Sequence, residues 1–306
     1  MYPEYNSCNL CPRRCGVNRN NGNVGRCHES SKLYVARAAL HYWEEPCISG
    51  TEGSGTVFFS GCGLNCVYCQ NKEISRGESG KEISVERLSD IYLELAAQGA
   101  NNINLVTPTH YVPHIIDSVR QAKERGLSLP IVYNTSGYEV PETLKLLKDT
   151  VDIFLADFRY MDKEAAGAFS DAADYPERVK EAFAEMFKLT GKPVFDNRGM
   201  LQKGIVARIL MLPGHADEAS DIVRYLNRNF GDDIYLSLLR QYTPLSDLSG
   251  LKDPDKKYRP LMRTLTTYEY EKVVNTALDL GIKNAYTQEK GTDKDSFIPA
   301  FDNTGV

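Results

Sequence analysis

From residue 56 onward, short apolar runs rich in β-branched residues alternate with amphipathic stretches at helical spacing, and this alternation constrains the fold more than any other feature of the chain. The runs lie at 56–60, 102–106, 130–134, 151–156, 204–212 and 234–239, separated by helical patterns at 84–98, 111–125, 141–148, 175–190 and 217–229. A final helix near 267–280 leads to a short run at 282–287. Near-continuous apolar strands separated by helices mean a parallel sheet covered by helices, an α/β fold. Six such units with right-handed crossovers curl into a partial (β/α)6 TIM-like barrel; a flat doubly wound sheet is the competing layout. In either, ligands gather beyond the C-terminal ends of the strands, so the residues that follow each run are the ones to read for chemistry.

The barrel is expected over residues 49–306, with residues 1–48 forming a small cysteine-rich metal-binding extension. Residues 1–32 are polar and carry four cysteines with little apolar periodicity, so a bound metal is expected to supply their order. Residues 33–43 read as a strand or hairpin arm, and 49–55 as a glycine-rich turn.

The chain has eight cysteines, at 8, 11, 15, 27, 47, 62, 66 and 69, all within the first quarter of its 306 residues. Bunched at two- and three-residue gaps, and without a basic and apolar leader before them, they have metal-ligand spacing rather than that of an extracellular disulfide framework. The expected location is therefore the reducing cytoplasm. No apolar run approaches the ~18 residues a bilayer span needs. A net charge of -5 gives no bulk electrostatic reason to expect nucleic acid or an anionic membrane as partner.

Directly after the first barrel run comes Gly61-Cys62-Gly63-Leu64-Asn65-Cys66-Val67-Tyr68-Cys69-Gln70-Asn71, a C-x3-C-x2-C loop at the expected mouth. Three thiolates on a four-iron cubane leave one iron without a protein ligand, and an open position marks a reactive metal site. Glycines 61 and 63 are expected to let the backbone wrap closely around the cluster. The alternatives are a structural zinc site, which wants a fourth ligand that does not follow until His110, or buried thiols with no metal.

At these residues the chain resembles the radical SAM superfamily, whose signature is C-x3-C-x-aromatic-C, with Tyr68 in the aromatic place and the likeness extending over about residues 55–290. The resemblance implies a [4Fe-4S] cluster on Cys62, Cys66 and Cys69, whose open iron is chelated by S-adenosyl-L-methionine (SAM). One-electron reduction, from a donor such as flavodoxin or ferredoxin, then gives methionine and a 5'-deoxyadenosyl radical that abstracts hydrogen. More narrowly, residues 53–62, Asn104-Leu105-Val106-Thr107-Pro108-Thr109-His110 and the N-terminal cysteine set look like proteins grouped with pyruvate formate-lyase activating enzyme, many of them of unassigned substrate.

The resemblance also implies a cofactor pocket. Where family members present Gly-Gly-Glu to the methionine amine, this chain has Thr107-Pro108-Thr109-His110, so Thr107 and Thr109 offer hydroxyl and carbonyl acceptors and His110 is a further mouth contact. Strand ends matching a monovalent-cation site read Asn134-Thr135-Ser136-Gly137 and Asp157-Phe158-Arg159; Asp157 keeps its role while Asn134 lowers the charge and weakens the site. Arg208, inside an apolar run, is costly unless it points inward to an anion, which SAM supplies in the family; the alternative is an outward arginine. Leu210 would lie against the adenine, while Gln241 or Tyr242 replaces a histidine, and Tyr68 and Gln70 flank the cluster.

Cys8-x2-Cys11-x3-Cys15-x11-Cys27 can close a tetrahedral shell around zinc or a rubredoxin-like iron; a fully ligated auxiliary iron-sulfur cluster, or thiols with no metal, remain as alternatives. Cys47 reads as a packed thiol. The leading functional expectation is an activase that moves a hydrogen atom from a glycyl-radical protein, which requires a barrel left laterally open for a protein loop. A radical SAM enzyme acting on a small molecule or peptide comes second. A non-catalytic iron-sulfur or zinc protein is third.

Overall fold

The computed structural model describes residues 1–245, 248, 257–289 and 298–306. Seven parallel strands form the body of one sheet: β2 (Ser54–Phe59), β4 (Ile103–Val106), β5 (Ile131–Thr135), β6 (Ile153–Asp157), β8 (Leu201–Leu210), β9 (Tyr235–Leu239) and β10 (Ala285–Thr287), paired in that order. The first six are the expected runs, and the seventh is the short run near 282–287. The six helices α3 (Val85–Ala97), α4 (Val112–Glu124), α5 (Pro141–Leu146), α7 (Tyr175–Thr190), α8 (Ala216–Phe230) and α9 (Thr267–Asp279) fall where the periodicity places them. Five elements escaped it: β3 (Lys81–Ile83), β7 (Val194–Phe195), the single-turn helices α1 (Pro46–Ser49) and α2 (Lys72–Ser75), and α6 (Lys163–Ser170). The first two have three and two residues, too few for any period to register.

Strand β1 (Leu33–His41) runs antiparallel to β2, and its first residues also pair with β3. It lies inside the stretch set apart above as an extension, yet it is joined to the first barrel strand residue by residue.

Side chains alternate in direction along each strand, and here the alternation sorts the two faces. Ile103, Leu105, Ile131, Tyr133, Phe154, Ile205, Ile209, Leu236 and Leu238 join the core under the helices. On the opposite face, Val132, Ile153, Leu155 and Val206 pack against Cys47 and Ile48 of the short helix α1 (Pro46–Ser49), which plugs the barrel interior. Cys47 is a buried, packed thiol, as expected. Nearer the C-terminal strand ends the same inward positions turn polar: Asn134, Asp157, Arg208 and Ser237 all line one cavity. No helix among the described residues is long and apolar enough to cross a membrane.

The N-terminal segment is not without a core. Tyr5, Cys8 and Leu10 form a small buried cluster, and the Arg19 side chain is fully buried beside it. The Arg19 guanidinium donates to the carbonyls of Ser30 (2.6 Å) and His110 (2.6 Å) and stacks 4.2 Å from the Tyr5 ring centre. The segment therefore has anchoring contacts of its own, beside the metal expected to order it. A buried arginine with carbonyl acceptors and an aromatic face can tie a short chain together.

Candidate functional site

A cavity of about 350 Å³ opens at the C-terminal ends of the strands. Cys62, Cys66 and Cys69 form one wall, on the loop that leaves β2. That loop is pinned by backbone hydrogen bonds from Gly61 N to Ile74 O (2.7 Å) and from Val67 N to Phe169 O (2.8 Å). Gly61 has φ +85°, and a Cβ there would stand 2.5 Å from the Cys27 carbonyl oxygen. The glycine therefore makes a left-handed turn and admits the N-terminal segment, a use the sequence did not disclose. Gly63 likewise faces the Cys11 sulfur, 3.6 Å from an ideal Cβ.

The three thiols are free. Burial first, and then the charges of Cys66 and Cys69, push the Cys62 thiol up to about 12. The Cys66 sulfur accepts from Arg159 Nη1 (3.1 Å) and Ser170 Oγ (3.0 Å). Three half-buried thiols on one loop, all facing the same cavity, are a donor set suited to iron. Among the described residues no three His, Cys, Asp or Glu side chains converge on a single ion. A cubane asks for something else, one thiolate at each of three separate irons. The set fits the cluster by its chemistry.

The rest of the cavity wall includes Gln70, Thr107, Asn134, Asp157, Arg208 and Gln241, so six of the ten cofactor-pocket candidates share one space with the cysteines. Thr107 adopts φ +58°, a left-handed conformation that is rare for a β-branched residue and marks local strain at the strand end. Asp157 Oδ2 accepts from both Nε (3.1 Å) and Nη2 (2.6 Å) of Arg159. Arg159 thus bridges the acid to a cluster thiol, a link that sequence spacing does not disclose.

Arg208 points inward, and its anionic partners belong to the chain itself. Nε donates to Glu45 Oε1 (2.8 Å), and Nη2 to Glu45 Oε2 (2.8 Å) and to Glu44. Burial opposes the charge of Glu45, but the guanidinium outweighs it and holds the carboxyl below its usual range. Glu44 Oε1 also accepts from Asn104 Nδ2 (2.9 Å). Glu44 and Glu45 follow β1 and enter the barrel from beneath, forming the floor of the cavity; nothing in their local sequence marks them as more than acidic loop residues.

Four candidates lie off this wall. The Thr109 hydroxyl donates to Glu139 Oε1 (2.6 Å) and faces a second, smaller space. His110 is buried there, its Nε2 2.7 Å from the Ser60 carbonyl, with burial pulling its pKa down to about 3. Both were expected at the mouth; their hydrogen bonds hold them behind it. Tyr68 is buried, its hydroxyl 2.5 Å from that of Tyr160. Leu210 is partly buried against the core, while Leu239 lines the cavity instead.

Glu139 was not anticipated. It is fully buried, with the Thr109 and Thr135 hydroxyls (2.6 and 2.5 Å) both donating to Oε1, while Oε2 has no partner. Burial lifts its carboxyl to about 7.

The second cysteine set stands directly behind the cluster loop. Cys11 and Cys27 share the smaller space with Cys62 and Thr107. The sulfurs of Cys15 and Cys27 flank Gly25, 3.6 and 3.5 Å from its ideal Cβ. Cys8 lies in the small N-terminal core, 3.8 Å from Arg19 Nη1.

Comparison with known proteins agrees with this geometry. An uncharacterized protein of Methanocaldococcus jannaschii is 27% identical over 89% of this chain and 75% of its own length. The pyruvate formate-lyase-activating enzyme of Clostridium pasteurianum is 31% identical over 113 residues, covering 35% of this chain and 46% of that enzyme. Among solved structures, HydG, a maturase of the [FeFe]-hydrogenase, superposes with a TM-score of 0.51 at 14% identity. That match covers 75% of this chain but only 50% of HydG, and it speaks for the fold alone. The radical SAM superfamily model matches residues 56–226, more than half of the chain and the span from β2 through α8. The chain belongs to the radical SAM superfamily.

Proposed function

We propose that this protein is an enzyme in which Cys62, Cys66 and Cys69 hold three corners of a [4Fe-4S] cluster and SAM docks at the fourth, in the cavity they wall. The observation that carries this is the shared space: three free thiols face the inward polar ends of the parallel strands across one cavity of about 350 Å³. When bound, cluster and cofactor supply a 5'-deoxyadenosyl radical that takes a hydrogen atom from the substrate. The chain's own residues prepare the place. Arg159 and Ser170 donate to the Cys66 sulfur and hold it in place. The hydroxyl and carbonyl of Thr107, with Asn134, Gln70 and Gln241, offer the neutral donors and acceptors that fix a polar ligand's orientation. Arg159 already neutralises Asp157, so a monovalent cation there would compete with a guanidinium.

Cys8, Cys11, Cys15 and Cys27 do not converge on a single ion here, and they are proposed to hold an auxiliary cluster, or a zinc or iron that draws them together on binding. Anaerobic metal analysis separates these readings: about four irons with one zinc supports zinc, and about eight irons supports a second cubane. Superfamily members need a reductant, and a flavodoxin or ferredoxin is the proposed donor. The likeness to an activating enzyme suggests a glycyl-radical protein as substrate; a small molecule or peptide is the other reading.

The test is anaerobic reconstitution followed by reduction with dithionite in the presence of SAM. The wild type is expected to release 5'-deoxyadenosine and Cys66→Ala none. A Cys66→Ala protein that still releases it would defeat the assignment.

A further inference from the structure

Ser170 ends α6, outside the cavity wall, yet its hydroxyl reaches the cluster loop. Ser170 Oγ donates to the Cys66 sulfur (3.0 Å), and the Tyr160 hydroxyl lies 2.7 Å from Ser170 Oγ. The Tyr68 hydroxyl in turn lies 2.5 Å from that of Tyr160. Ser170 and Tyr160 are fully buried and Tyr68 nearly so. Three buried hydroxyls therefore form a chain that ends on one sulfur.

Each hydroxyl has a single proton to give, and that fixes the direction of the chain. A metal-bound sulfur carries no proton, so it accepts from Ser170. With its proton committed, Ser170 accepts from Tyr160, and Tyr160 from Tyr68. Hydrogen bonds that all run one way polarise one another, so the two tyrosines strengthen the bond that Ser170 makes to sulfur.

The chain is also fixed at its end. Asp171 follows Ser170 at φ +51°, a left-handed conformation that aspartate tolerates better than most residues. Asn65 N donates to Ser170 O (3.4 Å) and Val67 N to Phe169 O (2.8 Å), which fastens the cluster loop to this turn. Arg13 spans the same two pieces, donating to Gly63 O (2.8 Å), Ser170 O (3.3 Å) and Asp171 O. Arg26 pairs with the Asp171 carboxylate.

We infer that Ser170 is a positioning residue that makes a cluster held by Cys66 easier to reduce, and that Tyr160 and Tyr68 act on it through Ser170. The inference deepens the proposed function and rests on it. An electron from the proposed donor protein adds negative charge that the ligand sulfurs share. A hydrogen bond donated to such a sulfur stabilises the reduced state more than the oxidised one. Arg159 reaches the same sulfur from the cavity wall and is shared with Asp157, whereas the hydroxyl chain is neutral and comes from the protein interior.

The test is an EPR-monitored redox titration of the reconstituted holoenzyme without SAM. At the wild-type midpoint, Ser170→Ala is expected to lower the ratio of reduced to oxidised cluster about tenfold (~59 mV for one electron), and Tyr160→Phe about threefold. Because Tyr160 acts through Ser170, the double variant should fall no further than Ser170→Ala alone. If Ser170→Ala fails to bind iron, Tyr160→Phe decides by the same measurement. A midpoint unchanged or raised in Tyr160→Phe, or in iron-loaded Ser170→Ala, would overturn the inference. So would a double variant whose shift is the sum of the two. A wild type that binds no iron-sulfur cluster would instead refute the underlying function, so the two failures are told apart.

Discussion

Cys62, Cys66 and Cys69 ride on a loop whose backbone is hydrogen-bonded to α2 (Lys72–Ser75) and to α6, and which leaves a fully buried strand. Cys8, Cys11, Cys15 and Cys27 sit in a segment with no strand and no α-helix, tied down by Arg19 and a three-residue core. The two sets lie back to back across Gly61 and Gly63. Metal-ligand spacing looks alike in both. At the mouth the thiols sit on a loop anchored to two helices and a buried strand, whereas the N-terminal segment has fewer anchors, so a bound metal would add proportionally more order there. Spacing alone therefore reports chemistry without reporting which partner, fold or metal, holds the geometry.

Four substitutions press on this contrast. The largest effect is expected from Cys66→Ala, which should abolish cluster binding and 5'-deoxyadenosine release while the thermal midpoint stays within a few degrees. A collapse of the fold would mean that the barrel needs its metal after all. Next, Arg208→Gln removes the partner of Glu44 and Glu45 on the cavity floor, and a denaturant titration should show a loss of about 3–5 kcal/mol, since two buried carboxylates are left unpaired.

Arg19→Leu should cost somewhat less, on the order of 3 kcal/mol, by leaving the Ser30 carbonyl without a donor and the His110 carbonyl with only the longer bond from the Tyr5 hydroxyl (3.2 Å). Its signature is regional: hydrogen exchange should accelerate over residues 1–32 and stay slow in β4, β5 and β6. Acceleration across the whole sheet would erase the distinction between the two regions.

The smallest effect belongs to Glu139, behind the mouth. Its folded carboxyl titrates near 7 against an ordinary 4.5, so the folded state binds the extra proton between those values. Its contribution to stability is full below about pH 4.5 and is lost as pH rises through about 7. Glu139→Gln should remove that slope and leave the protein more stable than wild type at pH 8, by on the order of 2 kcal/mol. Parallel pH–stability curves for the two proteins would show that the carboxyl does not titrate there.

The parallel α/β sheet was legible because β4, β5, β6, β8 and β9 are buried on both faces and read as apolar runs, and because the long helices carry their own periodicity. The cluster loop was legible because its three ligands lie within eight consecutive residues after one strand. Thr109 and His110 misled for the opposite reason. Their place after β4 suggested the mouth, but their hydrogen bonds to Glu139 and Ser60 turn them away from it.

By itself, then, the amino-acid order determined the fold class and the three-thiol loop, since both depend on neighbours a few residues apart. Only the tertiary structure decided that Arg208 meets Glu44 and Glu45 from 163 positions away and that Arg159 reaches Cys66 across 93. It alone showed that residues 298–306 lie against β1. Contacts between distant segments depend on where packing sends each chain segment, and local residue patterns carry no record of that.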